Sequence, residues 1–297
     1  MPQSPLRFRY VGLAAAGLLS LAACAQPVQV ARAGGPGSAS PDQGTGTTAG
    51  PTGSGILFRA GPVARYQLDA LDSVSMNMPD GSFQSTFTVK RAQLTVLLEQ
   101  AMDGLRAQVT LDSLSLDRPD DRLQPLVDSA MGTRWYGLIS PDGHISELTP
   151  DRISVFGGQI RALLFRFLPV LPAGGAVANT TWTDTASMQV PLLATASVTE
   201  DQVASYRAGR IENTPYGRGL RIGSEVDYDV SGAGTSFGQE VQVSGRGHAT
   251  GVHILSPGGQ LLYAQVRDSV DLSIALPAIG QTVPTLVTGS YSLTRIP

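Results

Sequence analysis

Of 297 residues, one is cysteine, three are histidine and two are tryptophan. One cysteine excludes an internal disulfide and a thiolate zinc site. Charged residues make up only 15%, against about a quarter in ordinary globular domains. The basic set is 21 residues, of which Lys90 is the one lysine, and the net charge is −3. A slightly acidic chain with no basic stripe lacks the footprint of a nucleic-acid binder. No apolar run reaches the roughly 18 residues that a membrane-spanning helix needs. What is plentiful is backbone punctuation: 34 glycines and 20 prolines. Together these describe a turn-rich, mainly β body with no metal or organic cofactor expected.

The N-terminus reads as an address. Arg7 and Arg9 precede residues 11–23, VGLAAAGLLSLAA, which are apolar or small throughout. A positive start and a short apolar run make a secretory signal, too short to span a bilayer. The run ends Leu21-Ala22-Ala23-Cys24-Ala25. This resembles the lipobox of bacterial lipoproteins. The resemblance implies acylation of Cys24, removal of residues 1–23, and a protein held to the membrane by acyl chains. Two or more such chains anchor stably where one does not. Ala25, in place of an aspartate, implies by the same resemblance the outer membrane, facing the periplasm.

Residues 25–55 are rich in Gly, Pro, Ser and Thr and carry no aromatic residue. Such a stretch cannot bury enough surface to offset its ordering entropy, so 24–55 reads as the lipidated residue plus a tether. As a random coil it would span roughly 30 Å. Its GTGTTAG run mimics a phosphate loop only in composition, because no strand precedes it and no helix follows.

From residue 56 the pattern becomes period-two. Segments 63–76, 83–98 and 105–116 alternate apolar and polar residues, and 195–212, 219–231, 238–255, 260–276 and 285–296 do so again. Half-buried strands joined by tight turns predict an antiparallel meander. Two turns match each other: Ser140-Pro141-Asp142-Gly143 and Ser256-Pro257-Gly258-Gly259, each between apolar strands. Proline presets φ and glycine takes the positive φ. A short helix is expected after Pro125. A longer one is expected near 150–168, started by Thr149-Pro150-Asp151 and stopped by Pro169. Ile153, Phe156, Ile160, Leu163, Leu164 and Phe167 fall on one face of it, with Arg152, Arg161 and Arg166 on the other. The fold class expected is mainly β (α+β): a curved antiparallel sheet or half-barrel of about nine or ten strands packed on that one main helix. Residues 56–297 form the body, with 56–150 and 191–297 as two halves around a helical connection in the alternative arrangement.

Four segments carry residue types used in catalysis or metal binding. Gly234-Thr235-Ser236-Phe237-Gly238 has the spacing of a hydrolase elbow, but the following residues alternate as a strand, not a helix. His248 and His253 are five apart and so face opposite sides of a strand. Asp227 and Asp229 share a face, as a glycosidase pair would, yet read as solvated. The acidic knot of Asp117, Asp120 and Asp121 lacks the spacing of a calcium loop. A non-catalytic protein is therefore expected.

The stretch from Leu171 to Asp184, an apolar proline-bearing run, a turn, then Trp182 with a following acid, resembles a segment of uncharacterised bacterial lipoproteins. Their strand–helix–strand layout is similar to that of the curved-sheet lipoprotein carriers of the cell envelope. That resemblance implies an open half-barrel wrapped around helices, with an apolar cavity for acyl chains. The candidate apolar ligand face is then Phe156, Ile160, Leu163, Leu164 and Phe167. The expected partners are the membrane, through Cys24, and a lipid or other apolar ligand. Docking of envelope proteins is the alternative role.

Overall fold

The computed structural model describes residues 55–297 apart from 79, 119–120, 194–195 and 237–238. The expected lipobox and most of the expected tether lie outside the described residues. Within them, eleven antiparallel strands form one sheet that curls into a half-barrel. In chain order they are β1 (Ala64–Asn77), β2 (Phe83–Ala101), β3 (Gly104–Leu116), β4 (Arg134–Ile139), β5 (Ile145–Pro150), β6 (Thr181–Leu193), β7 (Ala196–Thr214), β8 (Gly217–Ser236), β9 (Gln239–Leu255), β10 (Leu261–Leu276) and β11 (Gln281–Ile296). Their spatial order is β5-β4-β3-β2-β1-β11-β10-β9-β8-β7-β6. Sequence neighbours are spatial neighbours except β5 and β6, the two open edges, and the one pairing between strands distant in sequence is β1 with β11, from Arg65–Ile296 to Met76–Thr285.

Alternation sets which face is concave. Tyr66, Leu68 and Ala70 of β1 sit opposite Leu94, Ala92 and Lys90 of β2, and all six are buried. Their outward neighbours Arg65, Asp69 and Leu71 are at least partly exposed. The chain between β5 and β6 does not cross the sheet as a plain loop. It forms α2 (Val155–Phe167), which lies against the concave face, while α1 (Gln124–Ala130) connects β3 to β4. Phe156, Ile160, Leu163, Leu164 and Phe167 join the same core cluster as Leu68, Leu94 and Leu111.

Three helix expectations need correction. The helix begins at Val155, not at residue 150, because Ser154 caps it by accepting from the Gly157 amide at 3.2 Å, an ordinary N-cap role. Thr149 and Pro150 instead extend β5, opposite Tyr136 and Trp135. Ile153 thus lies outside the helix and is 63% exposed. Finally, Arg161 and Arg166 do not face water. Arg161 is 2% exposed and donates to the Leu148 carbonyl of β5, so the flanking hairpin covers the side that periodicity leaves wet. Burial lowers its pKa.

The two matched turns are the same structure. Gly143 and Gly259 take φ of 95° and 78°. Their amides donate to the carbonyls of Ser140 and Ser256 at 2.8 and 2.9 Å. The serine hydroxyls accept from the amides of His144 and Gln260, each at 3.1 Å. Both turns lie at one end of the half-barrel and fasten the entering chain: Phe58 donates to the Pro141 carbonyl at 2.7 Å, and Arg59 to the Gly259 carbonyl at 3.4 Å.

A candidate ligand pocket and a polar belt

The segment held by these turns forms the rim of an apolar pocket. Phe58, Arg59, Gly61 and Pro62 contribute to it, with Gln260 and Leu261 from the β9–β10 turn region. The wall continues inward through Val96, Val109, Ile145, Leu164, Phe167 and Leu293. Arg59 is the one charged residue among those lining it. The cavity is about 80 Å³, against roughly 10–15 Å³ for one buried water on a comparable measure. It is room for a few waters or a short run of methylenes, not for a whole lipid at rest.

Of the five residues expected on the ligand face, Leu164 and Phe167 line the pocket. Phe156, Ile160 and Leu163 are buried in the core instead. Periodicity identifies a buried helix face but cannot say which part of it meets a void. The rim was not foreseen at all. Its one sequence signal is Phe58, an aromatic residue soon after the tether composition ends.

On the other side of α2, the concave face carries a belt of charge inside apolar surroundings. Arg166 reaches Asp268 of β10 at 2.9 Å and Glu200 of β7 at 3.2 Å, and its guanidinium lies 5.3 Å from the Tyr228 ring centroid. Tyr228 donates to Asp268 at 2.6 Å. Two turns earlier on the same side of α2, Gln159 accepts from Lys90 at 2.9 Å, and Lys90 lies 2.6 Å from Asp72. Tyr291 donates to the same Asp72 at 2.8 Å. Burial opposes the Arg166 charge, but Glu200 and then Asp268 outweigh it and hold its pKa above the ordinary value. Burial pushes Glu200 up, and Arg166 only partly offsets this. Burial likewise raises both tyrosines, with the adjacent carboxylates adding to it. The belt joins α2 to strands on both sides of the sheet centre.

The histidines do not converge on the pocket. His253 is buried on the concave face. Its Nδ1 donates to the Phe167 carbonyl at 3.0 Å, because a carbonyl can only accept, so Nε2 of the neutral ring accepts from Ser224 at 3.2 Å. Burial lowers its pKa to about 4. A serine bonded to an oriented histidine has the form of a nucleophile pair, but neither residue lines the pocket. The pair pegs the C-terminus of α2. His248 faces outward and pairs with Asp227 at 2.8 Å, and Arg246 pairs with Asp229 at 3.1 Å. Asp227 and Asp229 thus each hold a cross-strand side chain on the open convex face. His144 sits in its turn beside Asp142 at 3.2 Å.

Ser236 ends β8, and β9 follows it as a strand, so no elbow leads into a helix. Among the described residues there is no group of His, Cys, Asp and Glu arranged to hold a metal ion. No helix among them is long and apolar enough to cross a membrane. Compared with protein-family models, curated proteins and solved structures, the chain returns no match.

Proposed function

We propose that this chain is a non-catalytic, lipid-anchored envelope protein, tethered through Cys24 to the outer membrane on its periplasmic side. Its half-barrel receives an apolar chain, such as an acyl chain, at the open end. The observation that carries this reading is the apolar pocket between α2 and the sheet, with one charged residue on its lining. The tether supports it, because the described chain enters at the pocket rim and is fixed there by both Ser-Pro turns. A small cavity agrees with a ligand that enters by displacing Leu164 and Phe167 outward. Native mass spectrometry of the full chain extracted from membranes tests it. Lipid adducts are expected in the wild type and should vanish in Leu164→Trp, which fills the void. A wild type that never carries or takes up an apolar ligand would end the reading.

A second reading, an adaptor for envelope proteins, is favoured by one observation on the convex face. Leu71, Phe83, Phe87 and Leu286 of the neighbouring strands β1, β2 and β11 are all 40% exposed or more. Crosslinking in the native host, comparing wild type with Phe83→Ser/Phe87→Ser, tests it. A partner lost with the two phenylalanines supports docking there.

A further inference from the structure

The rim of the pocket has a charge that its wall lacks. Arg59 is exposed, lines the opening, and forms no ion pair among the described residues. A second guanidinium, that of Arg295, is bonded to a residue of the lining without itself being part of it. Arg295 follows Leu293, a pocket residue, by two positions on β11, so it projects from the same concave face, opposite Tyr66 of β1. Arg295 is half-buried and donates to a neutral partner, the Gln260 side chain, at 2.6 Å. Gln260 also lines the pocket, and its amide packs over Gly61. In the belt, by contrast, Arg166 and Lys90 both have carboxylates within 3.2 Å, while Arg161 is buried away from the opening against the Leu148 carbonyl. The two arginines at the open end therefore sit where an incoming anion would complete them. Guanidinium groups bind carboxylates and phosphates through paired, charge-assisted hydrogen bonds.

We propose that the ligand is an anionic amphiphile: one acyl chain enters the apolar pocket, and its acidic head, a carboxylate or a phosphate, is held at the rim by Arg59 and Arg295. This rests on the reading that the pocket takes an apolar chain, and it adds the class of head group. Gln260, already bonded to Arg295, keeps that side chain oriented toward the opening.

The test uses the full chain and two fluorescent probes with one tail, cis-parinaric acid and its methyl ester. The acid should bind about tenfold more tightly than the ester at neutral pH, the effect of one charge-assisted contact. Arg59→Gln should remove most of that preference, read as the ratio of acid to ester affinity, and Arg59→Glu should reverse it. Because Arg59 is exposed, neither change threatens the fold. Arg295→Gln provides a second, independent loss of preference. Vesicles of phosphatidylglycerol and of phosphatidylcholine, scored by lipid retained on the re-isolated protein, separate the sources. Retention from the former alone points to a membrane phospholipid, and uptake of the free acid alone to a fatty acid. Equal binding of acid and ester overturns the proposal and leaves the apolar pocket standing. A preference that survives both arginine variants also overturns it. Binding of neither probe overturns the pocket reading itself.

Discussion

Arg166 of α2 and Asp268 of β10 meet at 2.9 Å across the interior of the half-barrel, 102 positions apart in the chain. Glu200 completes the contact from β7. The helix is thus tied to two strands that lie three places apart in the sheet. Removing one partner of a buried pair strands the others without water, which costs about 3–5 kcal/mol. Arg166→Met should lose stability of that order in urea denaturation, because it leaves two carboxylates facing Tyr228. Arg166→Lys should lose less but should not restore the wild type, since an ammonium is a point charge and cannot fork between two acids. If Arg166→Met is as stable as the wild type, the belt is not what holds α2.

His253 gives the structure a pH dependence of fixed sign. Its folded pKa is about 4, below the ordinary value of about 6.5 for histidine. The unfolded chain therefore takes a proton before the folded chain does. Stability from this group is complete above about pH 6.5 and is lost as pH falls towards 4. The full loss is about 3 kcal/mol for a shift of this size. His253→Gln should show a shallower decline in stability between pH 7 and pH 4 than the wild type. Parallel curves for the two proteins would remove His253 as the cause.

The strands were legible because one face is wet: Tyr66, Leu68 and Ala70 alternate with Arg65, Gln67 and Asp69, and a period of two survives in the sequence. The strand missing from the alternating segments is β6 (Thr181–Leu193), whose run Pro191 interrupts. The matched Ser-Pro turns were legible because turn chemistry is local. The belt was not. Nothing near residue 166 signals that Glu200 and Asp268 will arrive beside it, and a helical wheel places an arginine in water by default. Asp227 and Asp229 show the converse case, where the bland reading of two acids on a wet strand face agrees with the exposed pairs found there. The pocket rim depends on how residues 56–62 dock on two distant turns, a tertiary event that no window of sequence contains.

Two glycines make room for the tyrosines of the belt. A Cβ on Gly247 of β9 would lie 2.0 Å from the Tyr228 ring, and one on Gly289 of β11 would lie 2.0 Å from the Tyr291 hydroxyl. Each ring occupies the space that a side chain would need there, and its hydroxyl bonds Asp268 or Asp72. Gly247→Ala should therefore push Tyr228 away from Asp268 and cost about 1–3 kcal/mol, the usual effect of overpacking. Gly247→Ala combined with Tyr228→Phe should cost clearly less than the sum of the two single changes, because the ring already displaced has no bond left to lose. Additive losses in denaturant titrations would show that the glycine serves the backbone alone.

Cys24 lies outside the described residues, and the anchoring reading rests on the residues around it. If Cys24 carries the acyl chains, Cys24→Ser cannot be acylated, because serine offers no thiol for the first transfer. Processing then fails, and the chain should appear as an uncleaved precursor or as a soluble form released from membranes. Fractionation of cells by alkaline carbonate and by detergent phase partition, with the mass of the N-terminal peptide, distinguishes these. The wild type should enter the detergent phase and carry an acyl mass on Cys24. Apolar transfer supports the expectation quantitatively, at about 0.8 kcal/mol for each buried methylene, so losing two chains removes far more than any contact of a slightly acidic body with anionic lipid could replace. A Cys24→Ser chain that is cleaved and still partitions into detergent would mean that the half-barrel meets the membrane through its own surface, and the convex phenylalanines Phe83 and Phe87 would be the first residues to change.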